Sequence, residues 1–335
     1  MRAAVVHLPA SLDTLVIEER PEPAIVPGKV KVRWRALSLN FHDYAVVAGL
    51  LPTAEGRIPV SDGAGQVVEV GAGVTEWRPG DRVMSVFFPD WQEGAPTAER
   101  TRRLAGDSMD GCAAEFSIVD PSALTAIPMS YSYAEAATLP CAALTAWRGL
   151  VEVGQIRPGD RVLVEGTGGA SIFALQFAKA FGAVVYATSS SAAKLDRMKA
   201  LGASVGVDYR ADPNWGDTIN RLSGGGVDHV IDVGGPATLT QSINAVRFGG
   251  SVVIIGILGG LSAELNLVTL MTKQQRISPI AVGNRIMQRD MVRAIEATGV
   301  KPVIDATFPL AKLADAMRYQ LSGQHFGKIV IDVVA

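Results

Sequence analysis

Residues 161–191 constrain the fold more than any other stretch. They read RVLVEGTGGASIFALQFAKAFGAVVYATSSS. An apolar run at 162–164 leads straight into Gly166, Thr167, Gly168, Gly169, Ala170 and Ser171, which approach the pattern G-x-G-x-x-G with Ser171 in the third glycine position. A helical run opens on this turn, with Phe173, Phe177 and Ala180 on one face, and a second apolar strand follows at 184–187. Glycine turns are common, and strand–turn–helix–strand is the context that gives this one meaning. Glycine lets the backbone turn sharply and lets a phosphate approach without meeting a Cβ. The free N–H groups and dipole of the helix N-terminus favour the phosphate charge. The stretch therefore predicts dinucleotide binding, with Ser171 slightly loosening the helix–strand approach.

The same alternation continues beyond it. Short apolar strands at 162–164, 184–187, 229–233 and 251–255 are separated by helical runs near 171–181, 192–201 and 238–247. Short apolar strands alternating with helices predict a parallel, doubly wound sheet covered on both faces. Residues 1–125 read differently. Val30, Val32, Trp34 and Ala36 alternate with charged residues at the period of a half-buried strand, and glycine- or Pro-Gly-Asp-bounded strands follow at 66–70 and 82–87. Residues 88–111 carry Pro89, Pro96 and little periodicity, and read as a long loop of the kind that covers a site. Helical runs at 133–139, 142–151 and 311–320 and a last strand at 328–334 complete the pattern.

A length of 335 residues favours two domains. Hydrophobic residues make up 48% and the net charge is -2, so the composition is globular and offers no phosphate track for nucleic acid. The N-terminus has no secretory pattern, and the apolar stretch at 252–261 is cut by three glycines, so a cytoplasmic protein without a membrane span is expected. Cys112 and Cys141 are the only cysteines, which excludes a disulfide framework and any site needing three thiolates. At the end of the second strand, where an NAD site usually carries Asp or Glu, the chain has Ser189, Ser190 and Ser191, with Lys194 after them. Hydroxyls and an ammonium suit a 2′-phosphate, which predicts NADPH over NADH.

These residues, with N40-FHD-43, V60-SDGAGQVVEVG-71, P79-GDRV-83, L139-PCAALTAW-147 and F326-GKIV-330, carry a resemblance over nearly the whole chain. It is to the medium-chain dehydrogenases/reductases, in the zinc-free branch that looks like quinone oxidoreductases. The resemblance implies an α/β fold: a GroES-like β-rich catalytic domain over 1–125 and 285–335, and a Rossmann domain over 126–284. It implies a homodimer paired near 265–282, through Leu265, Leu267, Leu270 and Ile277. It places Thr145 at the nicotinamide, Val233, Gly234, Gly256, Ile257 and Leu258 at the strand ends where the cofactor sits, Lys328 near the cofactor, and Tyr209, with Arg210, near the adenosine phosphate. Phe87, Phe88 and Trp91 are candidates for an apolar substrate wall.

The zinc ligands of metal-dependent relatives fall on Asn40, Ser61 and Cys141, one thiol of the three good ligands a catalytic zinc needs. No metal is therefore expected, and His42 beside Asp43 lacks further ligands. Without a metal, a reaction that makes an enolate is easier to stabilise than one that makes an alkoxide. The expectation is NADPH-dependent reduction of α,β-unsaturated carbonyls or quinones, with Asn40 donating to the substrate oxygen and Tyr44 and His42 as further candidate donors. The alternative is an NAD(P)-dependent alcohol dehydrogenase or carbonyl reductase acting on C=O.

Overall fold

Strand pairing divides the chain. The computed structural model describes residues 1–334 and separates into two units, Met1–Leu144 with Gly283–Ala335, and Thr145–Val282.

The first unit is built on a sheet of order Ile304–Pro309, Lys328–Asp332, Val30–Ser38, Asp62–Val70, Arg82–Ser85 and Leu124–Ala126, with Phe116–Val119 also pairing along Val30–Ser38. All these pairs are antiparallel except Ile304–Pro309 with Lys328–Asp332. Strand Val30–Ser38 is central and buries Val30, Val32, Trp34 and Leu37 in a core with Val67, Val83, Ile329 and Ile331. Its register fixes the site described below. Ser38 lies opposite Asp62 on one side and Val330 on the other. Residues 126–144, which the resemblance implied for the second domain, sit with the first unit. Helix Tyr133–Ala137, opened by a Ser132/Glu135 capping box, packs on strands Val30–Ser38 and Asp62–Val70.

Two helices here escape a periodicity reading. Phe41–Val47 is too short to show a period. Arg285–Thr298 is revealed mainly by its ends: Asn284 Oδ1 accepts from the Met287 N–H at 2.9 Å, and Gly299 stops the helix at φ +70°. Segment 88–111 holds no helix or strand apart from an isolated Ala105–Met109 bridge.

The second unit is a six-stranded, wholly parallel sheet of order Val205–Asp208, Val184–Ser189, Arg161–Glu165, Val227–Asp232, Val246–Ile254 and Arg276–Pro279. The outer two strands are additions to the four expected. Both are short, and the last ends in Pro279, which an edge strand tolerates. Leu163, Val230 and Val252 from three central strands pack with Trp215, Ile219 and Ile243 from the covering helices. No helix among the described residues is long and apolar enough to cross a membrane.

Candidate active site

Strand Arg161–Glu165 ends directly beneath the glycine turn. Gly166 sits at φ +69°, a left-handed position that suits glycine, and its N–H donates to the Thr188 carbonyl at 2.9 Å. Gly168 is the N-cap of helix Gly169–Ala180 and offers no side chain to the helix N–H groups; a Cβ built there meets nothing within 4 Å. Thr167 is buried, and Gly169 and Ala170 are half-buried in the first turn. This open, uncapped cradle of N–H groups fits a pyrophosphate. Ser171 does not loosen the packing as expected. It is fully buried and its hydroxyl donates to the Glu165 carbonyl at 2.7 Å, tying the first turn of the helix to the strand.

Around the end of strand Val184–Ser189, Ser189 is buried and Ser190 half-buried. Ser191 caps helix Ala192–Ala200, with Oγ accepting from the Lys194 N–H at 3.4 Å, which leaves its O–H able to donate. The Tyr209 N–H donates to the Ser189 carbonyl at 3.2 Å, so the exposed Tyr209 and Arg210 stand beside the serines. One carboxylate does face this corner: Asp208 is paired in register with Ser189. Its Oδ1 is turned onto the N–H groups of Arg210 and Ala211, at 2.8 and 3.4 Å.

The two strand ends expected at the ligand edge of the sheet are stitched together. The Leu258 N–H donates to Val233 O at 3.3 Å and the Gly259 N–H to Gly234 O at 2.8 Å. A Cβ on Gly256 would stand 2.5 Å from Val233 O, and one on Gly234 would run into Thr238, so both glycines are required by close approach. Ile257 and Leu258 are exposed, and Thr145 is buried on a helical turn.

Beneath the turn lies a feature absent from the sequence reading. Glu165 and Asp232 end adjacent strands, both buried, with the Ser242 hydroxyl between them at 2.5 Å from Glu165 Oε1 and 2.7 Å from Asp232 Oδ2. One hydroxyl has one hydrogen to donate, so one carboxyl must bring its own. Asp232 also accepts from the Gly235 N–H and the Thr238 hydroxyl and is the better carboxylate. Glu165 therefore carries the proton. Burial, and then the charge of Asp232, push it well above the usual carboxylate range.

Such a group stabilises the fold fully below its unfolded pKa of about 4.5. That stability is lost as pH rises toward the higher folded value, at about 1.4 kcal/mol per pH unit between the two. Glu165→Gln keeps the shape and a donor but cannot ionise. Melting temperature against pH should show the variant gaining on the wild type as pH rises above about 5. A constant difference would mean that Glu165 does not hold the proton.

In the first unit the central strand delivers Asn40. Continuing the antiparallel register two residues beyond Ser38–Val330 brings Asn40 level with Lys328, 288 residues away in sequence. Lys328 is buried, and its Nζ donates to Leu39 O at 2.5 Å and Asn40 Oδ1 at 2.7 Å. An ammonium only donates, so the amide oxygen must face it, and this settles which way the amide points. Asn40 Nδ2 then faces Ser61 Oγ at 3.3 Å, and Ser61 Oγ donates to Asp62 Oδ1 at 2.8 Å. Asp62 Oδ2 accepts from the Cys141 N–H, and Asp43 accepts from the N–H groups of Asn40 and Ser61. Burial pushes the Asp62 carboxyl up to about 6 against the opposing charge of Lys328. Lys328, the residue the resemblance places near the cofactor, is thus an interior member of this cluster.

The other expected residues stand apart from this cluster. His42 lies beside Asp107 and Phe87, and its Nε2 makes no hydrogen bond. Tyr44 is half-buried and its ring leans on Phe41. Phe87, Phe88 and Trp91 are buried against one another, which makes them core side chains in the structure in place of an open wall.

The positions where metal-dependent relatives hold zinc do not make a zinc donor set. Asn40 Oδ1 is occupied by an ammonium, the Ser61 hydroxyl is given to Asp62, and Cys141 is the single thiol. Asp43 faces backbone amides, so it forms no metal pair with His42. No group of three or more His, Cys, Asp or Glu suited to a metal occurs among the described residues.

Comparison with known proteins agrees with both units. Residues 26–129 match the alcohol dehydrogenase GroES-like domain and residues 169–298 match the zinc-binding dehydrogenase domain. A zinc-type alcohol dehydrogenase-like protein of Schizosaccharomyces pombe is 41% identical over 340 residues, 98% of each chain. The crystal structure of a putative alcohol dehydrogenase from Sinorhizobium meliloti superposes with a TM-score of 0.93 at 39% identity, covering 99% of this chain and 98% of that one. A second structure, described as an NAD-dependent alcohol dehydrogenase, gives 0.92 at 32% identity, covering 99% and 100%. A mixed GroES-like and parallel-sheet architecture, the glycine turn and a full-length relative at this identity have one reading: the chain belongs to the alcohol-dehydrogenase-like medium-chain dehydrogenases/reductases.

Proposed function

We propose that this protein is a zinc-independent, NADPH-dependent reductase of α,β-unsaturated carbonyls or quinones. The observation that carries the reading is that Asn40 and Ser61, at two of the three positions the resemblance assigns to zinc ligands, are engaged instead in hydrogen bonds with Lys328 and Asp62. NADPH, when bound, supplies a hydride to the β-carbon of the substrate. Asn40 Nδ2, a neutral donor, holds the carbonyl oxygen as it becomes an enolate oxygen. A neutral donor suffices there, because enolate charge is spread over oxygen and carbon and the α-carbon takes its proton afterwards from water. One NADPH and one proton are consumed for each saturated ketone formed.

Thr145, Val233, Gly234, Gly256, Ile257 and Leu258 are the residues that would line the nicotinamide. Ser189, Ser190, Ser191, Lys194 and Tyr209 would receive the adenosine ribose and its 2′-phosphate, with Asp208 already engaged by backbone N–H groups.

A homodimer fits the apolar surface around the free edge strand Arg276–Pro279. Leu261, Leu267, Val268 and Met271 are 88%, 64%, 72% and 76% exposed, whereas Leu270 and Ile277 pack inward. Sedimentation equilibrium reads this directly, and a monomer at micromolar concentration would exclude it.

The alternative, an alcohol dehydrogenase or carbonyl reductase acting on C=O, is favoured by one feature. The Tyr44 hydroxyl has no hydrogen-bond partner among the described residues and is available to protonate an alkoxide. Chelator-treated protein, an α,β-unsaturated ketone, and NADPH beside NADH decide between the readings. The saturated ketone, formed faster with NADPH, is expected. An allylic alcohol would move the chemistry to C=O, and equal or better use of NADH would overturn the 2′-phosphate assignment.

A further inference from the structure

The ammonium of Lys328 is fully interior yet has no carboxylate in direct contact. Its two hydrogen-bond acceptors are neutral oxygens, one a backbone carbonyl and one the Asn40 amide. Burying an ammonium without a direct counter-charge is costly, and a methionine of similar volume would pack the same space more cheaply. The opposing carboxylates, Asp62 first and Asp43 after it, act on the ammonium from a distance, and hydrogen bonds through Asn40 and Ser61 join it to Asp62. Every donor in that chain points one way: ammonium to amide oxygen, amide N–H to hydroxyl oxygen, hydroxyl to carboxylate. Turning the Asn40 amide over would set an N–H against the ammonium and break both ends. A one-way chain between opposite charges polarises each member in the same sense. The ammonium on Oδ1 draws electron density from the amide and makes Nδ2–H a stronger donor, the property a metal-free oxyanion site requires.

We propose that Lys328 is a positioning residue: buried under Asn40, it holds the amide oxygen so that Nδ2 keeps one N–H on Ser61 and leaves the other for the substrate oxygen, and it lends that donor positive charge in place of a metal. The proposal rests on the reading of Asn40 as the carbonyl donor, and it replaces a role for Lys328 at the cofactor.

The test is a double-mutant cycle with Lys328→Met and Asn40→Ala, read as kcat and KM for the unsaturated ketone and as Kd for NADPH. Lys328→Met should lower kcat by about tenfold or more, leaving KM and the NADPH Kd within about twofold. Added to Asn40→Ala it should cost nothing further, because its effect passes through Asn40. Lys328→Gln, which keeps a donor and loses the charge, should fall between wild type and Lys328→Met, and serves as the second variant where methionine is poorly tolerated.

A spectroscopic arm needs no turnover. With 15N-asparagine labelling, the side-chain amide signal missing from Asn40→Ala should move upfield in Lys328→Met. Losses that add, a raised NADPH Kd, or an unmoved Asn40 amide signal would each overturn the proposal. Failure of the function reading looks different: Asn40→Ala would turn over normally while the amide signal still responded to Lys328.

Discussion

Gly168→Asp should leave the fold intact and abolish dinucleotide binding. The two halves of that expectation come from the same geometry. Gly168 has φ -72° and ψ 174°, an extended conformation that any residue adopts, and a Cβ there meets nothing within 4 Å. Aspartate is a favoured N-cap, so helix Gly169–Ala180 gains a partner for its free N–H groups and the melting temperature should hold or rise. Those same N–H groups are the ones a pyrophosphate requires. The new carboxylate takes them and adds a negative charge beside an anion. At about 4 Å and a surface-like dielectric the repulsion is about 4 kcal/mol, roughly a thousandfold in affinity. Titration of NADPH by its fluorescence reads the loss, and a thermal melt checks the fold. Gly168→Ala, which fills the same space without charge, should cost far less. Near-normal NADPH affinity in Gly168→Asp would remove the turn from the cofactor site.

The glycine turn was legible because its signal is local. Strand, turn, helix and second strand follow one another within thirty residues, and each has its own period. The outer strands Val205–Asp208 and Arg276–Pro279 were not, because each is four residues long and half-exposed, with no alternation to count. Residues 126–144 changed to helical rhythm before the chain left the first unit, since a helix can cover a sheet in either unit and periodicity does not say which.

The buried charges were hidden for a stronger reason. Asp43 and Asp62 stood in plain view inside N40-FHD-43 and V60-SDGAGQVVEVG-71, but nothing local marks an acid as interior. Lys328 joins them only through the pairing of Val30–Ser38 with Lys328–Asp332, a register that closes across almost the whole chain. Glu165 and Asp232 are hidden in the same way. Each ends an apolar strand, and only the parallel sheet sets them on either side of Ser242. Ser171 stands in the third glycine position of the motif, yet its hydroxyl works as a donor to Glu165 O, a role no local pattern marks.

Asn40 carries the second large expectation. Asn40→Ala should lower kcat for the unsaturated ketone by about a hundredfold or more, the usual cost of losing one oxyanion donor. KM and NADPH affinity should change little, because the bond strengthens only as charge reaches the oxygen. The residue also has a structural place, at the N-cap of helix Phe41–Val47 and between Lys328 and Ser61, so alanine alone does not separate chemistry from support. Asn40→Asp does. Aspartate has the same shape, caps a helix as well as asparagine, and meets Lys328 with a full charge. If Asn40 serves the fold, Asp restores what Ala loses. If Asn40 donates to the substrate oxygen, Asp turns an acceptor toward an oxygen that is gaining charge, beside the buried Asp43 and Asp62. The expected order of kcat is therefore wild type, then Ala, then Asp, with the Asp variant melting no lower than the Ala variant. An Asp variant as active as the wild type would make Asn40 a scaffold residue and return the search for the donor to Tyr44.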